Sequence, residues 1–480
     1  MGDALGPTDP LASLQSLPDD ALSHVFELLS DTDLVRLRRV SRTLNRRVLD
    51  LGIPLHLTHH AYPHTTLHPP PAAWPKPLLF AYNGRISRAL AAHSLHAAQL
   101  GPTWPQRVMP ALSVSPDRLL LGVGTKLLVH PLHAAEYAPR VVGAATEIPL
   151  VSKYAGSKAD IVGVHELPGG AVAVAQFDGT LQRVSVGPGR SLKSTAHYPA
   201  PKDANIHVLS GYGQALLAGF GAEARLYAAN SPWVPPATLA LGAGTRPWSA
   251  LVTQSHAFVG VSGAIRVCDN ALRPQRELYG ARRGHSAPYA LVSGRTPHTL
   301  LAAWHDGAAR LYDLRQATPH AALELRDPWS DAALYSAAFV GEASVAAGSS
   351  QHGQVSVWDV RRPDDGWSLF SPGGRGSPVY DLHGEGGRLW GVTERRAFVL
   401  SFDGAGEVAD GIVLPAAKAP PPRGGAKDVP TGWRRRGGKM GWTVHYGQHA
   451  VHEVTMGYLH GERGMTLFET KMPMTMPVAT

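Results

Sequence analysis

Histidines are the residues of this sequence whose spacing first suggests chemistry. Five of them come shortly before a triproline run: His56, His59, His60, His64 and His68. Imidazoles at such spacings could bind a transition metal. The stretch has no cysteine, no neighbouring carboxylate and no motif with the ligand spacing of a known zinc site, so we expect no metal there. A second group of histidines lies near the end of the chain: His445, His449, His452 and His460. It has no HExxH pattern, so we expect no metal there either.

A basic stretch near the end of the chain is the second candidate for chemistry. Four cations lie between Trp433 and Trp442, namely Arg434, Arg435, Arg436 and Lys439. Nucleic-acid and nuclear-import sites use such mixtures. The net charge of +8, from 45 Lys plus Arg against 37 Asp plus Glu, is otherwise spread along the chain. Residues 415–440 are rich in Pro, Gly and Arg, so we interpret them as a solvated flexible loop and expect no nucleic-acid partner.

Signatures of nucleophilic catalysis and phosphate binding do not occur in the sequence. It contains no GxxxxGK[ST], no GxSxG and no GxGxxG at a strand-to-helix junction. The single cysteine, Cys268, occupies an inward strand position, where a thiol acts as a small hydrophobe. We therefore expect no catalytic residue, no cofactor and no enzyme activity.

The sequence also gives no sign of secretion or membrane insertion. Its first ten residues have neither a basic nor an apolar segment, and Gly6 stands where a myristoylation motif needs Ser or Thr. No run approaches the ~18 apolar residues that cross a bilayer. One cysteine cannot form an internal disulfide, which fits a reducing compartment. We expect a soluble protein of the cytoplasm or nucleus with no membrane partner.

The region from Leu17 to Leu49 shows apolar residues at helical spacing. Leu17-Pro18 followed by two aspartates is typical of a helix N-terminus. The first apolar stripe is Leu22, Val25, Phe26 and Leu29. Cap-forming residues 30–33 predict a break, after which the inward residues are Leu34, Leu37, Val40, Leu44 and Val48. Helices this short bury little surface alone, so they either pack on the rest of the chain or dock a partner.

This region resembles the F-box family. The matching residues are Leu17-Pro18, Leu22, Val25-Phe26, Leu29, Asp33-Leu34, Leu37 and Val40-Ser41, while Leu44 stands where the family often has tryptophan. The resemblance implies an F-box over residues 15–52 that binds the Skp adaptor of Skp–cullin–F-box ubiquitin ligases. The adaptor contacts that it implies are Leu17, Pro18, Leu22, Val25, Phe26, Leu29 and Leu34.

A tight turn followed by alternating residues and an aromatic-Asp pair recurs along the middle of the chain. The two strongest copies are 305–313 and 352–359, and the Asp306-Gly307 turn is a strong hairpin signal. Weaker copies align on the aromatic position, which gives seven in all: His130, Ser185, Tyr227, Cys268, Tyr312, Trp358 and Phe402. Most separations are close to the ~40–45 residues of a four-stranded propeller blade.

The repeat resembles the WD-repeat family. This implies an all-β, seven-bladed propeller over 105–414, in which His285, Asp306 and Tyr312 form a structural hydrogen-bond network. Because a ring must be closed, we expect a strand near 411–415 or 441–470 to complete the last blade. The other predicted segments are a disordered N-terminus (1–14), a linker (53–104) with a helix at 84–100, the flexible loop (415–440), and a C-terminal segment (441–480) that packs on or closes the propeller.

Together these features predict a small all-α F-box module followed by an all-β, seven-bladed WD-repeat-like β-propeller. The implied function is a non-catalytic substrate receptor whose partners are the Skp adaptor, the cullin scaffold and an unknown client protein. We expect the client on loops between blades, where Arg282 and Arg283 could meet an acidic or phosphorylated segment. Three alternatives stay open: a scaffold whose Leu17, Val25 and Phe26 are buried against the propeller, a propeller hydrolase, and an RNA-binding propeller.

Overall fold

Helices lie between Leu14 and Ala91, and every described element after Ala91 is a β-strand. These elements come from a computed structural model, which describes residues 14–60, 62, 71–100, 103–105, 107–135, 138–141, 146–149, 159–186, 192–280, 286–371, 377–403, 433–436, 439–442, 454–460 and 466–471.

Four short helices open the chain. They are α1 (Asp19–Glu27), α2 (Asp31–Leu37), α3 (Arg42–Arg47) and α4 (Ile53–His59), with a 3-10 turn at Leu14–Ser16 and a π-helical turn at Val48–Gly52. The hydroxyls of Ser30 and Ser41 cap α2 and α3 by accepting the N–H of Asp33 and Leu44, both at 3.2 Å. The break predicted at residues 30–33 is therefore confirmed. The inward position predicted for Val40 is wrong, since α2 ends at Leu37 and Val40 is 65% exposed.

A longer helix and a strand connect this unit to the sheets. A 3-10 turn at Pro71–Ala73 leads into α5 (Lys76–Ala91), which is followed by β1 (His96–Leu100). The helix predicted at 84–100 is therefore wrong beyond Ala91. His93 takes a left-handed conformation (φ +53°) where the chain leaves the helix for the strand.

Seven sheets form the blades of the propeller. Blade one contains β2 (Ala111–Val114), β3 (Arg118–Val123), β4 (Lys126–Ala135) and β6 (Thr146–Pro149), with β5 (Ala138–Val141) on the distal half of β4. Blade two contains β7 (Ile161–Glu166), β8 (Ala171–Gln176), β9 (Leu181–Val186) and β10 (Leu192–His197). Blade three contains β11 (Ile206–Tyr212), β12 (Ala215–Phe220), β13 (Glu223–Ala228) and β14 (Ala237–Ala240). Blade four contains β15 (Ser249–Val252), β16 (Ala257–Val261), β17 (Ala264–Cys268) and β18 (Pro274–Tyr279).

The remaining blades follow the same order from the innermost strand outward. Blade five contains β19 (Pro288–Ser293), β20 (Thr299–Trp304), β21 (Ala308–Asp313) and β22 (Leu323–Arg326). Blade six contains β23 (Leu334–Val340), β24 (Ser344–Ser349), β25 (Gln354–Asp359) and β26 (Arg362–Phe370). Blade seven contains β27 (Val379–Gly384), β28 (Arg388–Thr393) and β29 (Arg396–Ser401) together with β1. The innermost strands contact one another in sequence and β27 contacts β2, so the ring is closed and the prediction of seven blades is confirmed.

The closing strand comes from the N-terminal side of the propeller. β1 pairs with β29 in antiparallel register, His96 opposite Ser401. The prediction that a strand near 411–415 or 441–470 closes the ring is therefore wrong. The propeller begins at His96, inside the segment predicted to be a linker.

The C-terminal strands lie elsewhere. β30 (Trp433–Arg436) pairs with β31 (Lys439–Trp442), whereas β32 (Val454–Leu459) pairs with both β26 of blade six and β33 (Thr466–Lys471). The paired strands correct the flexible-loop prediction for their residues, and residues 415–432 lie outside the described part of the chain. The basic stretch thus lies on a strand pair.

The blade-five hydrogen bonds differ from the predicted network. The carboxylate of Asp306 accepts two hydrogen bonds from the buried guanidinium of Arg310, at 2.9 and 2.8 Å. The hydroxyl of Tyr312 donates instead to the backbone carbonyl of Tyr279 at 2.8 Å. Asp306 and Tyr312 therefore stabilise the blade through separate contacts, and His285 lies outside the described residues.

A half-buried carboxyl on an innermost strand joins the last blade to the first. Asp381 on β27 accepts the backbone N–H of Leu112 on β2 at 3.1 Å. Burial raises the pKa of Asp381 to about 7, against the lowering effect of two backbone hydrogen bonds. A folded-state pKa above the ordinary value means that the native protein holds this proton more tightly than the unfolded chain. Its contribution to stability is present at acidic pH and is lost as pH rises through the folded-state pKa.

We therefore expect the wild type to lose stability relative to Asp381→Asn as pH rises from about 5.5 to about 8.5. The expected loss is on the order of 2 kcal/mol, because each unit of pKa shift corresponds to about 1.4 kcal/mol. Urea unfolding of both proteins across this range measures it, and the comparison cancels all other titrating groups. Parallel pH profiles would contradict the assignment.

Candidate functional site

Three of the predicted partner contacts lie in the core of the helical unit. Leu22, Phe26 and Leu34 are at most 1% exposed and pack with Val48, Ile53 and Phe80. This cluster contains helical residues and no residue of a blade. The scaffold alternative requires Phe26 to be buried against the propeller. Phe26 is instead buried within the helical unit. In this conformation the three residues support the surface residues of the helical unit from its core and are not themselves at the surface.

The remaining predicted contacts lie at or near the surface of the same unit. Pro18 is exposed, whereas Leu17, Val25 and Leu29 are half-buried. Leu28, which the helical pattern did not single out, is 87% exposed and lies one turn after Val25. We call the set Leu17, Pro18, Val25, Leu28 and Leu29 the apolar edge. An edge of this kind is a candidate docking surface for a protein partner.

A shallow charged cavity lies beside this edge. It has a volume of about 470 Å³ and is lined by Asp19, Arg42, Thr43, Arg46, Arg47, Asp50 and Leu51. The guanidinium of Arg47 donates to the carbonyl of Leu17 at 2.6 Å and thereby fixes the start of the edge. Charged groups beside an apolar centre are the usual arrangement of a protein–protein interface.

The two sides of α5 join the helical unit to the propeller. One side carries Phe80 in the helical core and Arg88 at 3.6 Å from Asp31 of α2. The opposite side carries Tyr82, Ile86 and Leu90, spaced four residues apart, in a core shared with blades six and seven. Since both stripes are on one rigid helix, the helical unit has a fixed orientation on the propeller.

Polar contacts reinforce the propeller side of this helix. Asp403, which follows β29, accepts the hydroxyl of Tyr82 at 3.2 Å and the guanidinium of Arg388 at 3.0 Å. Both members of the ion pair are nearly fully buried. His60, just after α4, is hydrogen-bonded to Glu342 in the turn between β23 and β24. The helical unit thus contacts the turns that follow the innermost strands of blades six and seven.

Aromatic residues line the opposite end of those innermost strands. Tyr289, Tyr335 and Tyr380 each occupy the second position of β19, β23 and β27, where the register with the next strand shifts. Trp248 immediately precedes β15. We call these four residues the aromatic rim. The rings of Tyr289 and Tyr335 stack with centroids 4.9 Å apart and an interplanar angle of 7°, and Trp248 lies 4.9 Å from Tyr289.

The aromatic rim and the helical unit lie on opposite faces of the propeller. Tyr335 is near the start of β23, whereas Glu342, which contacts His60, lies just beyond its end. At about 3.3 Å per residue, a strand of this length separates its ends by roughly 20 Å. A ligand on the rim would therefore leave the apolar edge accessible.

Sequence reasoning missed the aromatic rim. The signal that could have found it is one aromatic residue per blade at the start of the innermost strand in four consecutive blades. The pattern became visible only when the register placed these residues around one mouth of the ring. The client contacts predicted from the sequence, Arg282 and Arg283, lie outside the described residues.

One buried constellation resembles a hydrolase site but has the wrong geometry. The hydroxyl of Ser368 and the carboxylate of Asp327 both contact Nε2 of His460, at 2.8 and 3.3 Å. A catalytic triad needs the carboxylate on the other ring nitrogen, and Ser368 is fully buried. These residues instead attach the segment after β32 to blade six. Burial raises the pKa of the Cys268 thiol to about 11, which leaves it a poor nucleophile.

Among the described residues, no group of three or more His, Cys, Asp or Glu side chains is arranged to hold a metal ion. No helix in the same part of the chain combines the length and apolar character needed to span a bilayer.

Comparison with known proteins agrees with this architecture. A family model described as the F-box domain matches residues 14–56. The chain also resembles the crystal structure of Raptor from Chaetomium thermophilum, with a TM-score of 0.50 and 14% sequence identity. The match covers 80% of this chain but 36% of Raptor, so it shows the shared fold alone. No curated protein matches the chain in sequence. Residues 14–56 thus match the F-box domain, and a seven-bladed β-propeller follows them in the chain.

Proposed function

We propose that the chain is a substrate receptor of a Skp–cullin–F-box ubiquitin ligase. Its F-box binds the Skp adaptor, and the propeller holds a client protein on the face away from the F-box. The observation that carries the proposal is α5, which fixes the F-box on one face of the propeller while the apolar edge stays accessible. Such a receptor would act in the cytoplasm or nucleus.

A rigid connection suits a receptor that has no catalytic group of its own. A client held at a fixed distance from the ligase has a high effective concentration near the transferring enzyme. A flexible tether of the same length would spread the client over a larger volume and lower that concentration. The buried core around Ile86 and the ion pair of Asp403 with Arg388 oppose such flexibility.

The apolar edge is the part of the F-box that we assign to the adaptor. Leu28 and Pro18 are exposed, and an adaptor that covers them removes apolar surface from water. Leu22, Phe26 and Leu34 support the edge from the core and need not touch the partner. The arginines of the neighbouring cavity suit an acidic rim on the adaptor.

Calorimetric titration of the full-length chain with purified Skp adaptor tests this function. We expect a Kd below about 1 µM for the wild type and a weakening of at least about thirtyfold for Leu28→Asp, because a carboxylate is then buried without a partner. Trp233→Asp is the matched control, since Trp233 is 78% exposed on blade three. Its affinity should equal that of the wild type.

Two results would contradict the proposal in different ways. A folded wild type without adaptor affinity would leave a propeller scaffold unrelated to ubiquitin. Equal affinities for Leu28→Asp and the wild type would place the adaptor on another surface of the F-box.

A further inference from the structure

The aromatic rim carries binding groups that the propeller itself does not use. Within the described residues, the hydroxyls of Tyr289, Tyr335 and Tyr380 make no hydrogen bond, and all four rim rings are half-buried. The rings form a nearly continuous π surface over four consecutive blades, with neighbouring centroids 4.9 to 6.0 Å apart. Tyrosine and tryptophan are among the residues that most often dominate the binding energy of a protein interface.

The blade-four end of the rim carries a cation. The guanidinium of Arg246 lies 3.5 Å from the centroid of the Trp248 ring, and Arg246 itself is exposed. No acidic side chain among the described residues forms an ion pair with it. A guanidinium that lies over an indole ring keeps N–H groups free to bind a carboxylate.

The blade-seven end of the rim is close to neutral. Arg107, which acts electrostatically on Tyr380, pairs with Glu394 at 3.3 Å. The rim therefore has a polarity, with an unneutralised cation at Arg246 and uncharged aromatic surface beyond it. A cationic ligand is disfavoured, because Arg246 already occupies the face of Trp248.

We infer that the aromatic rim binds an extended, unmodified peptide segment in which an Asp or Glu lies a few residues from a prolyl or aromatic ring. The carboxylate meets Arg246, and the ring stacks on Tyr289 or Tyr335, as proline-rich segments do in aromatic-lined grooves. The distance between neighbouring ring centroids of the rim corresponds to about one and a half to two residues of extended chain, at about 3.3 Å per residue. Among the described residues Arg246 is the only rim cation without an acidic partner, and a single guanidinium matches a carboxylate, whereas a phosphate group calls for several cations.

This inference rests on the proposed function only in assigning the segment to a client protein. The test is selection of peptides from a displayed library of random, unphosphorylated sequences of about twelve residues, with the full-length chain as bait. We expect enriched peptides to combine an acidic residue with a nearby prolyl or aromatic residue. Their affinity should fall at least about tenfold for Arg246→Glu and for Tyr335→Ala. Arg315→Ala, an exposed arginine paired with Asp313, serves as the control and should bind unchanged.

Three outcomes would overturn the inference. They are no enrichment, enriched peptides without an acidic residue, and affinities that the two rim variants leave unchanged. Replacing the acidic residue of a selected peptide by phosphoserine tests the choice of anion, and tighter binding by about tenfold would overturn the assignment to a carboxylate. Adaptor affinity is measured on the same preparations. If peptides are selected as expected but the adaptor does not bind, the proposed function fails and the rim site stands.

Discussion

Replacing Asp403 by alanine is expected to lower the free energy of unfolding by about 3–5 kcal/mol. The carboxylate is shared by Arg388 and the hydroxyl of Tyr82, and both partners lie in the core between α5 and blade seven. Burial raises the pKa of Tyr82, so no ionised tyrosine can replace the lost contact. Denaturant unfolding followed by tryptophan fluorescence measures the loss.

A matched control comes from the equivalent residue of blade six. Asp359 also follows the repeat's aromatic residue, but it pairs with Arg361 at the surface, where 64% of the arginine side chain is exposed. Asp359→Ala should therefore cost about 0–1 kcal/mol. Equal stability of Asp403→Ala and the wild type would show that the buried pair does not hold α5 on the propeller.

The second large effect concerns the core of the F-box. Phe26→Ala should destabilise it by about 3–5 kcal/mol, because a ring that is 1% exposed leaves a cavity among Leu22, Leu34 and Ile53. A unit of this size has little stability to spare, so we expect it to unfold locally while the propeller stays folded. Hydrogen exchange of residues 14–60, compared with exchange of the blades, measures this directly.

The same variant separates a supporting role from a contact role. Phe26→Ala should lose adaptor affinity although Phe26 does not reach the surface. Leu28→Ala should keep normal hydrogen exchange in the F-box and weaken only the adaptor, since Leu28 is 87% exposed. Protected amides in residues 14–60 of Phe26→Ala would contradict this division.

Local patterns in the sequence were enough to predict the first three helices and the sevenfold blade repeat. Ser30 and Ser41 cap helices through contacts within three residues, and such contacts are visible in sequence. The repeat positions Tyr312, Trp358 and Phe402 are buried in the structure, as the register predicted. Helical spacing identified the apolar side of α1. It could not show that Phe80, far along the chain, belongs to the same core as Phe26.

Contacts between distant residues account for what the sequence did not predict. His96–Leu100 has a helix-forming composition, yet pairing with β29, about 300 residues away, makes it a strand. The sequence of α5 shows an amphipathic pattern. It does not show that one side of the helix packs in the helical unit and the other side on the propeller. The aromatic rim likewise depends on the closure of the ring, because its four residues come from four blades.

Analytical ultracentrifugation of the full-length chain with the Skp adaptor and the cullin scaffold tests the central claim most directly. We predict a ternary complex with one copy of each protein, which forms only when the adaptor is present and does not form with Leu28→Asp. A folded chain that sediments alone in the full mixture, or one that binds the cullin without the adaptor, would contradict the account.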